Sequence, residues 1–444
     1  MAEAPIFPPL PGRRRSRTAR AWRNLLRLRR GWAPIAYGAL AFLRLAFRNV
    51  VRHRRRSGLA IGAIAFGTAA LILAGGFIEW IFVDFRESSI RSQLGHIQIT
   101  RQGYRAGATA DPFAFLLPND AATLREIEAV PQVRLVAPRL KFNGLVSAGE
   151  TTLSFIGEGV DPEKERALSD AMTISAGEPL AASDPGGAIL GDGLAANLGV
   201  KPGDTLVLLA TTASGGTNAI EVRVRGTFFT VTKAYDDSAL RVPLVTAQRL
   251  LRVTGEHLWV VLLKDTGETA RTVATLRRHL EGRNVELVPW SELADFYNKT
   301  VELFSRQLGV VRFIVGLIIV LSISNTMIMS VLERTWEIGT SMAIGVRRRQ
   351  ILLMFLVEGT LLGLIGGMLG LLVGAVLAIG ISAIGIPMPP PPGMSHGFNG
   401  GILLTGALSL GALAIAVGTT LIASVYPARK AARLPIVDAL RHNH

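Results

Sequence analysis

The chain has 444 residues with 48 Lys and Arg against 33 Asp and Glu, a formal net charge of +15, yet 49% of its residues are apolar and only 18% are charged. Soluble domains carry about 25% charged residues, so the basicity does not describe a soluble nucleic-acid binder. Cysteine is absent, which excludes disulfide scaffolds, thiolate metal sites and cysteine nucleophiles.

The charge is local. Residues 1–56 hold fifteen arginines and one acid, Glu3, a net of +14, so the rest of the chain nets only +1. Residues 1–34, rich in Arg and Pro, read as a disordered basic tail. Over 35–56, arginines at 44, 48, 52 and 55 or 56 fall at helical spacing, with Leu40, Leu43, Phe47, Val50 and Val51 on other faces. That pattern reads as an amphipathic helix lying on membrane lipids with its arginines on lipid phosphate, or else as a solvated basic face.

Ser57–Phe77 then runs 21 residues without a charge, the roughly 20 needed to cross a hydrocarbon core of about 30 Å. Behind so long a basic leader it reads as a retained anchor rather than a signal peptide. Ile78, Ile81, Phe82 and Phe85 continue a spacing of three and four, so the region 57–82 is expected to hold the first transmembrane helix and the start of a stalk. Residues 83–307 alternate short β-forming runs with helical ones: Gly95–Thr100, Leu145–Val160, Asp204–Ala210 and Ala219–Val231 as strands, Asn119–Val130, Gly193–Leu198 and Thr266–Leu280 as helices. Asp161 and Pro162 open a further helix as N-cap and first residue. The expectation is an α+β domain whose returning stalk carries Leu293, Phe296, Tyr297, Val301, Phe304 and Leu308.

Three more apolar stretches follow, at 308–332, 351–386 and within 402–426, separated by 333–350 and by a Pro-rich outer loop at 387–401, with a tail at 427–444. The fold class read from this is a four-helix membrane protein with a large α+β domain inserted between helices one and two. Segments 333–350 and 427–444 net +2 and +3, whereas 77–307 holds 24 basic and 28 acidic residues. The positive-inside rule therefore puts both termini in the cytoplasm and the inserted domain outside.

In the third span, Gly359, Gly363 and Gly367 form one ladder at i+4 and Gly366, Gly370 and Gly374 another, a pattern for close helix packing. Glu358 is an intramembrane acid, a functional candidate unless it reaches headgroups or pairs with Arg312. No catalytic, cofactor-binding or metal-binding residue is expected. The phosphate loop G-x-x-x-x-G-K-[ST] and H-E-x-x-H do not occur, the seven histidines are scattered, and Gly191-Asp192-Gly193, without the rest of a dinucleotide fingerprint, is expected to be a turn. Gly393–Gly397 matches G-x-S-x-G around Ser395, but the MPPPPG before it cannot supply the strand that a nucleophile elbow needs.

Between spans two and three, Glu333 and Glu337 sit at i and i+4, with Arg334 beside them and Gly339 and Gly345 before three arginines at 347–349. This is a short charged helix tied to spans at both ends, either a lever for a partner or a solvated connector.

Here the sequence resembles the FtsX-like permease family, the four-span subunits of ABC systems that include macrolide-exporter (MacB-like) and lipoprotein-release (LolC/LolE-like) permeases. The resemblance rests on ER-x-x-EIG-x-x-x-AIG at Glu333, Arg334, Glu337, Ile338, Gly339, Ala343, Ile344 and Gly345, and on AFRNVVRHRRRSGLAIGAIAFG, EGTLLGLIGGMLG and PARKAARLPIVDALR. GHIQI and AILGDGLAANLGVKPGD look like the lipoprotein-release branch, whereas Trp336 and Met342 stand where many relatives have basic residues. The resemblance implies that 333–345 docks on a separate ABC ATPase subunit and that a second permease protomer, identical or not, completes the assembly in a bacterial inner membrane. It also implies that the stalks move the external domain, releasing a lipoprotein or exporting a hydrophobic substrate; a signalling permease that regulates a cell-wall hydrolase is the alternative. An ion-coupled carrier lacks the polar wiring it needs along the spans.

Overall fold

The computed structural model describes residues 46–52, 54–168, 172–390 and 397–436. The tail 1–34, the first part of the expected interfacial helix, Ser395 and the end of the C-terminal tail lie outside them. Helix α1 (Arg54–Ser89) is unbroken over 36 residues, about 54 Å at 1.5 Å per residue, well beyond a hydrocarbon core of about 30 Å. It widens into a π-turn at Ile90–Leu94 and stops at Gly95, whose φ of +67° suits glycine.

The chain divides into two compact units, and Ala74–Gly309 with Ala378–Leu403 forms one of them. Its strands are β1 (Ile97–Arg101), β2 (Val133–Ala148), β3 (Thr151–Val160), β4 (Thr173–Gly177), β5 (Gly187–Gly191), β6 (Thr205–Thr211), β7 (Thr217–Phe229), β8 (Ala239–Pro243), β9 (Leu258–Leu263) and β10 (Val285–Pro289). The helices among them are α2 (Ala121–Glu128), α3 (Pro162–Leu168), α4 (Asp192–Leu198), α5 (Leu244–Leu251) and α6 (Thr269–His279).

Strand β2 is shared between two halves of this unit. Its start pairs with β9 and completes the antiparallel row β10-β1-β9-β2, over which α2 and α6 bury Ile127 and Leu276 against Ile97, Ile99, Val136 and Val261. Its end pairs with β3 on one side and β6 on the other. Because β6 also pairs with β7, the strands β2, β3, β8, β5, β7 and β6 close into a ring without a free edge. The ring is filled by Leu140, Phe142, Leu206 and Val224 together with Leu194 of α4 and Leu250 of α5.

The strand expected from Leu145 begins twelve residues earlier, at Val133, and runs through Pro138. Pro138 is tolerated since pairing with β3 begins one residue later, at Arg139. Gly144 marks the close crossing of β6, where a Cβ would strike the Leu209 carbonyl. Asp161 caps α3 by accepting from the backbone N–H groups of Glu163 and Lys164.

Helix α7 (Asp295–Glu333) returns from this unit, with Phe85 of α1 edge-on to Phe296 at 5.5 Å and Phe82 to Phe304 at 6.4 Å. A short helix α8 (Thr335–Ala343) leads to α9 (Arg348–Ile384), a hairpin pairs Ile386–Met388 with Phe398–Gly400 inside the expected outer loop, and α10 (Gly406–Ala432) follows. Helices α1, α7, α9 and α10 are long and apolar enough to cross a membrane. The chain is thus a four-helix membrane protein with an α+β domain between its first and second long helices.

In the second unit these helices bury Ile64, Ile319, Ile323, Phe355, Leu362 and Ala423. Phe66, Phe313, Leu321, Leu372 and Ile422 are exposed, the distribution expected when lipid replaces water as the solvent. The two glycine ladders of α9 serve different neighbours. Gly359, Gly363 and Gly367 meet Ser424, Thr420 and Ala416 of α10, while Gly366, Gly370 and Gly374 meet Ile64, Ala65 and Ile72 of α1. A Cβ on Gly370 would lie 2.6 Å from the Ala65 carbonyl oxygen, and one on Gly366 2.7 Å from Ile64 Cβ.

Two outcomes follow from this packing. Gly370→Val is expected to cost roughly 1–3 kcal/mol through overpacking, read as a lowered unfolding midpoint in detergent, whereas Gly380→Val, with open space around it, leaves the midpoint unchanged. In the external unit, burial pushes the Glu256 carboxyl up to about 7, with the Trp259 indole pulling the other way. The folded domain therefore holds this proton more tightly than the unfolded chain does. Its contribution is full below pH 4.5 and is lost as pH rises to about 7, by at most about 1.4 kcal/mol per pH unit. Tryptophan-monitored urea unfolding between pH 5 and 8 should show this slope in the unaltered chain and a flatter one in Glu256→Gln.

Candidate functional site: the charged end of the helical unit

Helix α8 is set off from α7 by Arg334, whose backbone leaves the helical region at φ −102° and ψ 13°. Thr335, Ile338, Gly339 and Met342 form the buried face of α8. The other face presents Trp336, and beyond it Ala343 and Ile344, the latter 81% exposed. Gly345 ends the segment at φ +104°, in the left-handed region that glycine adopts without strain.

Arg334 organises this end of the bundle. Its side chain is 9% exposed and donates to Glu358 Oε2 at 3.4 Å and to Glu337 Oε2 at 3.3 Å. The Asn49 side-chain carbonyl, turned toward the guanidinium, accepts at 2.9 and 3.2 Å. The guanidinium also stacks 5.8 Å from the centre of the Phe355 ring, a placement that uses both its charge and its flat face. Four helical segments thus meet at one cation.

The expected partners of Glu358 are corrected by this geometry. Arg312 is exposed on α7, and Glu358, only 5% exposed, pairs with Arg334 instead of headgroups or Arg312. The interfacial helix is also corrected in part. Residues 46–52 are helical, but Arg52 pairs with Glu337 at 3.1 Å and Arg56 with Glu333, so these two arginines face carboxylates rather than lipid phosphate. The reason is spacing: Arg52 and Arg56 are four residues apart, as are Glu333 and Glu337, and the two pairs register. Each pair is solvent-accessible and contributes about 0–1 kcal/mol, enough to align two helices without locking them.

Of the residues singled out in the sequence, Glu333, Arg334 and Glu337 therefore converge, while Ile338 and Gly339 are buried supports and Ala343 and Gly345 lie on the exposed end. The six glycines belong to the packing of α9. Asn49, Phe355 and the exposed Trp336 complete the site and were not read from the sequence as site residues; the matched i, i+4 charge pairs were the available signal. A cavity of about 370 Å³ opens beside Arg334 between α8 and the start of α9, lined by Asn49, Ser341, Gln350 and Met354, so this side of α8 is not packed flush. Among the described residues no group of three or more His, Asp or Glu is arranged for a metal ion.

Residues 57–279 match the family model described as MacB-like periplasmic core domain, and 309–436 match that described as FtsX-like permease C-terminal. The chain is 28% identical over 435 residues to a macrolide export ATP-binding/permease protein of Sodalis glossinidius, covering 93% of this chain and 62% of that one. It is 25% identical over 429 residues to an uncharacterized ABC transporter permease of Methanocaldococcus jannaschii, covering 89% and 96%. It is 33% identical over 214 residues to a pyoverdine export ATP-binding/permease protein of Pseudomonas putida, covering 46% and 30%. The chain thus spans less than two thirds of the two ATP-binding/permease relatives.

Removing one member of the buried pair strands the other. Arg334→Met alone is expected to destabilise the helical unit by about 3–5 kcal/mol, and Arg334→Met with Glu358→Leu by much less. Denaturation in detergent micelles checks the order, which reverses if the pair is not buried as described.

Proposed function

Because the chain belongs to the permease family that joins a MacB-like periplasmic core domain to an FtsX-like permease domain, we propose that it is the membrane subunit of an ABC transporter that works by mechanotransmission. The observation that carries the reading is α8, a nine-residue helix held at its start by Arg334 and showing Trp336 and Ile344 to solvent. An aromatic and an aliphatic anchor with charges at the rim are what a protein interface uses. The partner is a separate ATPase subunit whose groove receives this segment.

A push on α8 reaches α9 through Arg334 and Glu358 and reaches 46–52 through Arg334 and Asn49. With the arginine-rich segments in the cytoplasm, the inserted domain lies on the outer side, and the stalk portions of α1 and α7 carry the stroke to it. A second permease protomer, the same chain or a relative, provides the opposing half. The substrate is hydrophobic or lipidated and is taken up at the outer face of the membrane. The macrolide and pyoverdine export names of two relatives support export of a bulky small molecule, while the GHIQI and AILGDGLAANLGVKPGD segments keep lipoprotein release as the second substrate class.

Mild solubilisation should retain an ATPase with the unaltered chain. Trp336→Glu and Ile344→Glu should each weaken that association on the order of tenfold or more without shifting the unfolding midpoint, since both side chains are exposed. Recovery of the chain with no ATPase under conditions that keep other membrane complexes intact would remove this reading.

A further inference from the structure

The external unit contains four fully or nearly fully buried charges that neither the fold's core nor the site above explains. Arg139 of β2, Glu158 of β3, Glu165 of α3 and Arg241 of β8 are each 5% exposed or less. Glu165 Oε1 accepts from Arg139 at 2.6 Å and from Arg241 at 2.8 Å. Glu158 Oε2 lies 3.2 Å from Arg241 Nε and 3.7 Å from Arg139 Nη1, and accepts from the Tyr235 hydroxyl at 3.1 Å. Burial pushes the Glu158 carboxyl up, but Arg139, Arg241 and Lys141 outweigh it and hold it at about 2. Glu158 therefore stays ionised at any physiological pH.

Its cations point at one place. Arg241 Nη2 donates to the Ser92 carbonyl at 3.0 Å, Arg139 Nη1 to the Gln93 carbonyl at 2.5 Å, and Gln98 Nε2 to the Leu94 carbonyl at 2.9 Å. The Ile90 carbonyl accepts from the Gly95 N–H at 2.8 Å. Ser92, Gln93 and Leu94 are the last residues of the π-turn that ends the α1 stalk. A helix C-terminus leaves carbonyls without intrahelical partners and carries the negative end of its dipole. Here those carbonyls are taken by side chains rooted in three different strands, two of them guanidinium ions. A buried ionic box costs more desolvation than an apolar plug of the same volume, so stability alone does not account for it.

We propose that Arg139 and Arg241, bracketed by Glu158 and Glu165, are positioning residues that form a rigid joint between the end of the α1 stalk and the external sheet, so that a displacement of the stalk moves the sheet instead of fraying its last turn. This rests on the mechanotransmission reading for its purpose, though not for its geometry. In the ring, the joint grips β2, β3 and β8 at once, and β3 and β8 join directly through the Glu158–Arg241 register. Three neighbouring strands and one helix thus receive the stroke together.

The test uses the full chain in nanodiscs and two readouts, hydrogen exchange and the distance between spin labels on Asp84→Cys and Ser214→Cys, which a chain without cysteine accepts cleanly. Replacing Arg139, Glu158, Glu165 and Arg241 together by Met leaves no unpaired charge. In that variant the amides of 90–95 should exchange on the order of tenfold faster or more and the label distribution should broaden, while the amides of β5 to β7 keep their protection. Unchanged protection at 90–95 and an unchanged distribution would overturn the joint. If the fourfold variant loses its ring, Arg139→Lys decides: it keeps the charge but cannot serve Glu165 and Gln93 together, so faster exchange confined to 93–95 supports the joint and none overturns it. Adding ATP and the retained ATPase separates the two readings. No ATP-driven motion of the unaltered chain defeats the proposed function and leaves the joint to the exchange data; equal ATP-driven motion of the external sheet in both chains defeats the joint alone.

Discussion

A guanidinium that has lost its water must be surrounded, and the helical unit is arranged around that requirement at Arg334. Glu358, Glu337, Asn49 and the Phe355 ring each satisfy part of it, and they come from three segments of the chain, 46–52, α8 and α9. The break between α7 and α8 falls at this residue, the second turn of α9 passes beside it, and the helix at 46–52 is drawn in to reach it. Placing the cation elsewhere would leave Glu358 as an unpaired acid in an apolar surrounding, the more expensive state.

The glycine ladders make that convergence possible. With no side chain on either face, α9 approaches α1 and α10 closely enough for backbone to touch side chain, and dispersion replaces the hydrophobic drive that lipid removes. The solvent-accessible pairs Arg52–Glu337 and Arg56–Glu333 are weak by comparison.

The four long helices and the inserted α+β domain were legible because each is a property of consecutive residues: uncharged length and alternation. Glu333, Arg334 and Glu337 were legible as a charged turn. Their partners were not. For Glu358 the sequence left a functional role, headgroups or Arg312 open, whereas Arg334 lies 24 residues away and reaches it only after the chain reverses between α7 and α9. Strand β2 begins twelve residues before the expected Leu145 and crosses Pro138, which is tolerated because pairing with β3 begins only at Arg139. The closed ring was invisible, since closure depends on β6 pairing not only with its neighbour β7 but also with β2, some sixty residues earlier in the chain.

The sequence by itself determined which segments are long and apolar enough to cross a membrane, where the arginines cluster along the chain, and that one short charged helix joins two spans, because solvent sorts residues one segment at a time. The tertiary structure alone decided what each charge is for. The energy of a buried ion depends on what surrounds it at a few ångströms, and for Arg334, Arg139 and Arg241 those surroundings are assembled from residues tens to well over a hundred positions apart. The net charge of +15 therefore divides in two: most of it is a local block at residues 1–56 that simple counting finds, while three buried arginines owe their surroundings entirely to the fold.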